Sequence, residues 1–108
     1  MNNKVMTLLG FASKAGRLSY GQAAATESAQ KKKARLIAVS GEISPKSLKE
    51  IKFYADKSNI ETVVLEDVSI ATLSAAVGRN CGALSVNDAS FADAITKQLS
   101  TGGNANDE

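Results

Sequence analysis

Residues 19–39, SYGQAAATESAQKKKARLIAV, read as a loop, a helix and a buried strand in immediate succession. Gly21 opens the helix. Gln22 to Lys33 contains no Gly or Pro and is rich in alanine and other strong helix formers, which predicts a helix over that span. Leu36 to Val39 is a short aliphatic run of the kind that forms a strand covered on both faces. The first turn, Gln22-Ala23-Ala24-Ala25, has no Asp or Glu to oppose the positive end of the helix dipole. The glycine before it lets another backbone approach closely. Free N–H groups facing an open approach make this helix start a candidate anion site. The expected last turn carries Lys31, Lys32 and Lys33, with Arg35 following. Cations suit a helix C-terminus and a lysine run is ordinarily a solvated face, so this run marks a site only in combination with other features.

The same alternation continues to either side. Val5, Leu8, Leu9, Ala12 and Ala15 recur at helical spacing in a first helix over about Asn3–Ala15, ended by Gly16, and Leu18 to Tyr20 forms a short edge strand. Ser44-Pro45 is a strong helix start, with Ser as N-cap and Pro where its missing N–H costs nothing; that helix runs to about Lys57 on a stripe of Leu48, Ile51 and Ala55. Lys46, Lys49, Lys52 and Lys57 lie off the stripe, in water. Thr62–Leu65 is a second buried strand, and Ser69 caps a helix through Val77 that Gly78 terminates. Ala83–Val86 is the next strand, and Asn87-Asp88 leads into a last helix bearing Phe91, Ala92, Ile95 and Leu99. Residues 101–108, polar and Gly-rich, read as a disordered tail, leaving one domain over residues 1–100. Short strands alternating with helices predict a single-domain three-layer α/β/α sandwich around a small mixed sheet.

A chain of 108 residues buries enough surface to fold without disulfides or a structural metal. The one cysteine makes no internal bridge, and no apolar run resembles a signal peptide or membrane span, so a cytoplasmic protein is expected. The net charge of +2 conceals an asymmetry: residues 1–57 hold eleven Lys and Arg against four Asp and Glu, whereas residues 58–108 hold two against seven. A basic face that meets phosphates is compatible with that division.

The inventory is poor for catalysis. There is no histidine, so the commonest general base is missing and Cys81 has no such partner to activate it. Cys81 reads as a small apolar filler. Glu66-Asp67 and Asp88 follow strands, where a magnesium site is conceivable, but a turn and an N-cap account for them. No Walker loop or GxGxxG occurs. A non-enzymatic binding module with no cofactor is the expectation.

Gly21, the Arg35-Leu36-Ile37 strand entrance with Leu36 fifteen residues after it, Pro45, the run Leu73-Ser74-Ala75-Ala76-Val77-Gly78, and Val86-Asn87-Asp88-Ala89-Ser90-Phe91-Ala92 together resemble the ribosomal-protein superfamily of kink-turn RNA binders, in particular its small bacterial YlxQ-like branch. The similarity covers about residues 4–98, with Ser74 in place of an inner glycine of the family motif. The resemblance implies a sandwich that docks structured RNA, such as a kink-turn or ribosomal RNA, at the start of the second helix; RNA rather than DNA is the implied partner. It also implies a polar pair and a lysine in that helix to read bases and meet phosphate. Here those positions are Ala23, Ala24 and Glu27, which supply no base-edge donor and no cation. The contacts left to this chain are the backbone at Gly21 and Gln22 and the side chains of Lys14, Arg17, Lys31, Lys32, Lys33, Arg35, Arg79 and Asn80, which position a phosphate backbone without reading sequence. The alternative is a protein-interaction module of the translation or ribosome-assembly machinery that has kept the fold without kink-turn binding.

Overall fold

In the computed structural model, which describes residues 3–104, helices and strands follow in the order α1 (Asn3–Lys14), β1 (Leu18–Tyr20), α2 (Gln22–Gln30), β2 (Leu36–Ser40), α3 (Pro45–Lys57), β3 (Thr62–Leu65), α4 (Ile70–Val77), β4 (Ala83–Val86) and α5 (Ala89–Asn104). The strands form one mixed sheet in the order β1-β4-β2-β3, with β2 and β3 parallel and β4 antiparallel to both β1 and β2. Every residue of β2 is buried, which is why its sequence is continuously apolar from Leu36 to Val39 rather than alternating. Leu36 and Ala38 join the core beneath α1, α4 and α5, while Ile37 and Val39 join the core beneath α2 and α3. The expected three-layer sandwich is therefore present.

Local signals set most helix boundaries. Ser44 Oγ accepts from the Ser47 N–H with Pro45 at the first helical position, and Ser69 Oγ accepts from the Thr72 N–H. Asp88 Oδ1 accepts from the Phe91 N–H at the start of α5. Each such cap is worth about 1 kcal/mol.

Three boundaries differ from the sequence expectation. Helix α2 stops at Gln30 instead of Lys33, because the chain must turn inward to bury Ala34 and start β2. The turn is made by Lys32 at φ 62°, with the Lys33 and Ala34 N–H groups both donating to the Ser28 carbonyl. The lysine run is thus an exit turn and not the last helical turn. Strand β2 gains Ser40, whose buried hydroxyl donates to the Val68 carbonyl at 2.7 Å. Helix α5 continues through Asn104, into the stretch read as the tail, and residues 105–108 lie outside the described residues.

Candidate nucleic-acid interface

The register of the sheet sorts the candidate residues into two groups. Leu18 and Leu36 both pair with Val86, so Arg17, Arg35 and Asn87 lie at one end of the strands. Tyr20 pairs with Leu84 and Val39 with Ala83, so Gly21, Ser40 and Gly82 lie at the other. Helices α2, α3 and α4 all begin at this second end, each following the C-terminal end of a strand. Open sheets of this kind place ligands at such an edge.

At that edge the α2 start is distinctive. Gly21 is the N-cap at φ 93°, ψ 160°, a conformation essentially restricted to glycine, and no side chain caps the helix. The Gly21 N–H donates to the Ala83 carbonyl at 2.7 Å, so it is not available to a ligand as the sequence alone suggests. The Gln22, Ala23 and Ala24 amides precede the first helical hydrogen bond, from Ala25 N–H to Gly21 O, and have no acceptor within the helix. Ala23 is exposed, so the lack of a long side chain leaves these amides open. The Gln22 side chain turns aside, donating from Nε2 to Glu50 Oε1 on α3 at 2.6 Å. Beside it lies a groove of about 270 Å³ lined by Gln22, Ile43, Ser44, Ser47, Ile70 and Gly82 among others. Of its isoleucines, Ile51 and Ile70 read in the sequence as core-face residues of their helices, whereas Ile43 lies in a loop where periodicity carries no signal.

Arg79 joins this edge. Its guanidinium lies 4.6 Å from the centroid of the Tyr20 ring, directly before Gly21, and the Tyr20 hydroxyl is 2.6 Å from Ser13 Oγ. The loop that holds Arg79 and Asn80 is pinned by Ser74, whose hydroxyl accepts from the Cys81 N–H at 3.0 Å and donates to the Cys81 carbonyl at 3.1 Å. Stacking with a fixed ring presents Arg79 as a preorganised cation.

The remaining candidates lie away from this edge. Arg17 sits 3.8 Å from Asp88 Oδ2, and its carbonyl accepts from the Asn87 N–H. Lys14 closes α1 just before that turn, exposed. Lys31 pairs with Glu27 at 2.8 Å; the hydrogen bond and charge of Lys31 hold the Glu27 carboxyl below its ordinary pKa. Lys32, Lys33 and Arg35 are exposed, with the Arg35 N–H donating to the Val86 carbonyl. The structure sets Arg79 on the ring of Tyr20, the residue before Gly21 and Gln22, with Asn80 next to it in the loop, and leaves the lysine run and Arg35 at the far end of α2.

Among the described residues, the thiol and carboxylates singled out in the sequence lie apart from one another. Cys81 is buried in the core beneath α4, and burial pushes its thiol above the ordinary value against a weaker opposing effect of Arg79. Glu66-Asp67 and Asp88 lie at opposite ends of the sheet, too far apart to share an ion. Among the described residues no group of three His, Cys, Asp or Glu is placed to hold a metal, and no helix is long and apolar enough to cross a membrane.

Comparison with solved structures finds the same fold in a protein of unknown function from Bacillus halodurans, at 21% identity and a TM-score of 0.84 over 90% of this chain and 97% of that one. A 15.5 kD RNA-binding protein of Giardia lamblia matches at 12% identity and a TM-score of 0.76, over 92% of this chain and 84% of that one. A search of curated protein sequences gives no match. The model of the ribosomal protein L7Ae/L30e/S12e/Gadd45 family matches residues 3–96, nearly the whole described domain, and the chain belongs to that family.

Proposed function

We propose that this protein is a non-catalytic, cytoplasmic RNA-binding protein that docks a structured RNA, ribosomal RNA or a kink-turn, on the edge formed by the α2 start and the Arg79-Asn80 loop. The observation that carries the reading is the uncapped, alanine-lined first turn of α2 beside the Tyr20-stacked Arg79. Backbone amides at a helix N-terminus and a fixed guanidinium both suit phosphate oxygens. Family membership and the RNA-binding neighbour in Giardia support RNA as the ligand. With Ala23 and Ala24 where base-reading side chains are implied, binding depends on the shape and backbone of the RNA more than on its sequence. Placement in the YlxQ-like branch rests on the motif spacing from Gly21 through Phe91.

Ala23→Glu tests the reading because it moves stability and binding in opposite directions. A carboxylate in the first turn favours the helix dipole by about 0.3–1 kcal/mol. The same charge repels a phosphate at the amides. Thermal unfolding should therefore hold or rise while affinity for a kink-turn and for a control structured RNA falls about tenfold or more. Unchanged affinity for both RNAs overturns the docking edge. No saturable binding to either RNA at low salt, with nuclease-resistant capture of translation factors, favours the protein-interaction module instead.

A further inference from the structure

The outer face of α3 carries an exposed aromatic among lysines. At about 100° per residue, Ile51 and Ala55 turn toward the sheet and Phe53 turns away, with Lys46, Lys49 and Lys57 on its side of the helix. Phe53 is 58% exposed. Lys57 Nζ lies 5.4 Å from its ring centroid, and Tyr54 meets the ring edge-on at 5.2 Å. Among the described residues, Lys46, Lys49 and Lys57 form no ion pair. Of the acids flanking this stripe, Glu50 accepts from Gln22 and Asp56 lies at the opposite margin. A phenyl ring 58% exposed forfeits much of its burial free energy, the surface contacts with Lys57 and Tyr54 offset only part of it, and Lys46 and Lys49 have no acid partner among the described residues. A ligand with flat rings strung between phosphates satisfies both.

We propose that this face binds a single-stranded RNA segment, with an unpaired base stacked on Phe53 and the adjoining phosphates held by Lys46, Lys49 and Lys57. The proposal takes the class of its partner from the function proposed above. Helix α3 begins at the same strand-end edge as α2, and the Gln22–Glu50 hydrogen bond joins the two helices there. From Lys46 at that edge the stripe runs about 16 Å along the helix to Lys57. The flank of an RNA seated at the α2 start is thereby led along the stripe. An acidic protein segment would match the lysines but gains nothing from an open ring face, so the two occupants separate on Phe53.

The test measures binding of a structured hairpin, of the same hairpin with about six unpaired nucleotides added at one end or the other, and of a free strand of about twelve. One of the two tails should strengthen binding to the wild-type protein about tenfold, by the stacking of a base on an aromatic ring. Phe53→Ala should remove that gain without lowering the melting temperature, and Phe53→Trp should restore it. Replacing Lys46, Lys49 and Lys57 by Gln should reduce the salt dependence of free-strand binding by about 2 in log–log slope, near 0.7 for each phosphate no longer neutralised. A gain that survives Phe53→Ala, or a poly-glutamate peptide that competes as well as the free strand, overturns the proposal. If the bare hairpin binds and neither tail adds anything, this face falls and the docking edge stands. If the bare hairpin does not bind but the free strand binds in a Phe53-dependent way, the docking edge falls and this face stands.

Discussion

Gly41 holds the ends of β2 and β3 together by having no side chain. A β-carbon there would lie 2.3 Å from the Glu66 carbonyl oxygen and 2.8 Å from its carbon, both backbone atoms with nowhere to move. The Gly41 N–H meanwhile donates to the Leu65 and Val68 carbonyls. At Gly82 the nearest atoms to an added β-carbon are side-chain carbons of Ile43 and Ile70 at 3.3 Å, which can rotate aside. Gly41→Ala should therefore cost about 1–3 kcal/mol and Gly82→Ala less, read from urea denaturation midpoints; the reverse order would contradict the close approach at Glu66. The contrast shows which residue roles the sequence exposes. Ser44-Pro45 and Ser69 are legible as helix starts because their partners lie three residues on. Gly41 reads only as a loop residue, since its constraint comes from the backbone of Glu66, in the turn that follows β3 later in the chain.

The same distinction explains what is and is not legible in α2. Its start is marked by Gly21 and a bare first turn; its end is hidden because the helix formers continue through Lys33 while the sheet requires Ala34 inside. The helix is held at depth by a polar cluster rather than by bulky apolar contacts. Asn87 Oδ1 accepts from Ser28 Oγ on α2 and Ser85 Oγ on β4, each at 2.8 Å, and Asn87 Nδ2 donates to Ser19 Oγ on β1 at 2.9 Å. Ser28 and Ser85 are 5% and 0% exposed, so neither hydroxyl has water to replace that acceptor. Asn87→Ala should destabilise the fold by about 2–6 kcal/mol, at about 1–3 for each of the two buried hydroxyls left unpaired. Asn87→Asp keeps both acceptor bonds and lets the Ser19 hydroxyl turn to donate to the second carboxylate oxygen, so it should cost less than Asn87→Ala. Equal unfolding midpoints for the two variants would remove the cluster from its structural role. Phe53 belongs to this scale too: its place opposite Ile51 and Ala55 is readable from helical spacing, but only the structure shows the ring open.

Across the whole molecule, the charge asymmetry of the sequence becomes an asymmetry of layers. Residues 22–57, which supply α2, β2 and α3, hold eight Lys and Arg against four Asp and Glu. That surplus is not one patch, because α2 separates its two ends by about 13.5 Å, more than the screening length of about 10 Å at 0.1 M salt. Long-range attraction of RNA to the basic layer and docking at the α2 start are therefore separable. Lys33→Glu with Arg35→Glu makes twice the charge change of Arg79→Glu but acts at the far end of the sheet. If overall charge governs binding, the double variant should be the weaker binder at every salt concentration. Docking at the strand-end edge requires the opposite at about 0.1 M: Arg79→Glu should weaken a structured RNA about tenfold or more, and the double variant by about threefold at most. Lowering the salt lengthens the screening distance, so the double variant's deficit should grow as ionic strength falls, while the Arg79→Glu deficit persists at high salt. Titrations of one RNA against the three proteins over a salt series measure both trends, and a double variant weaker than Arg79→Glu at about 0.1 M would move the binding surface to the lysine turn.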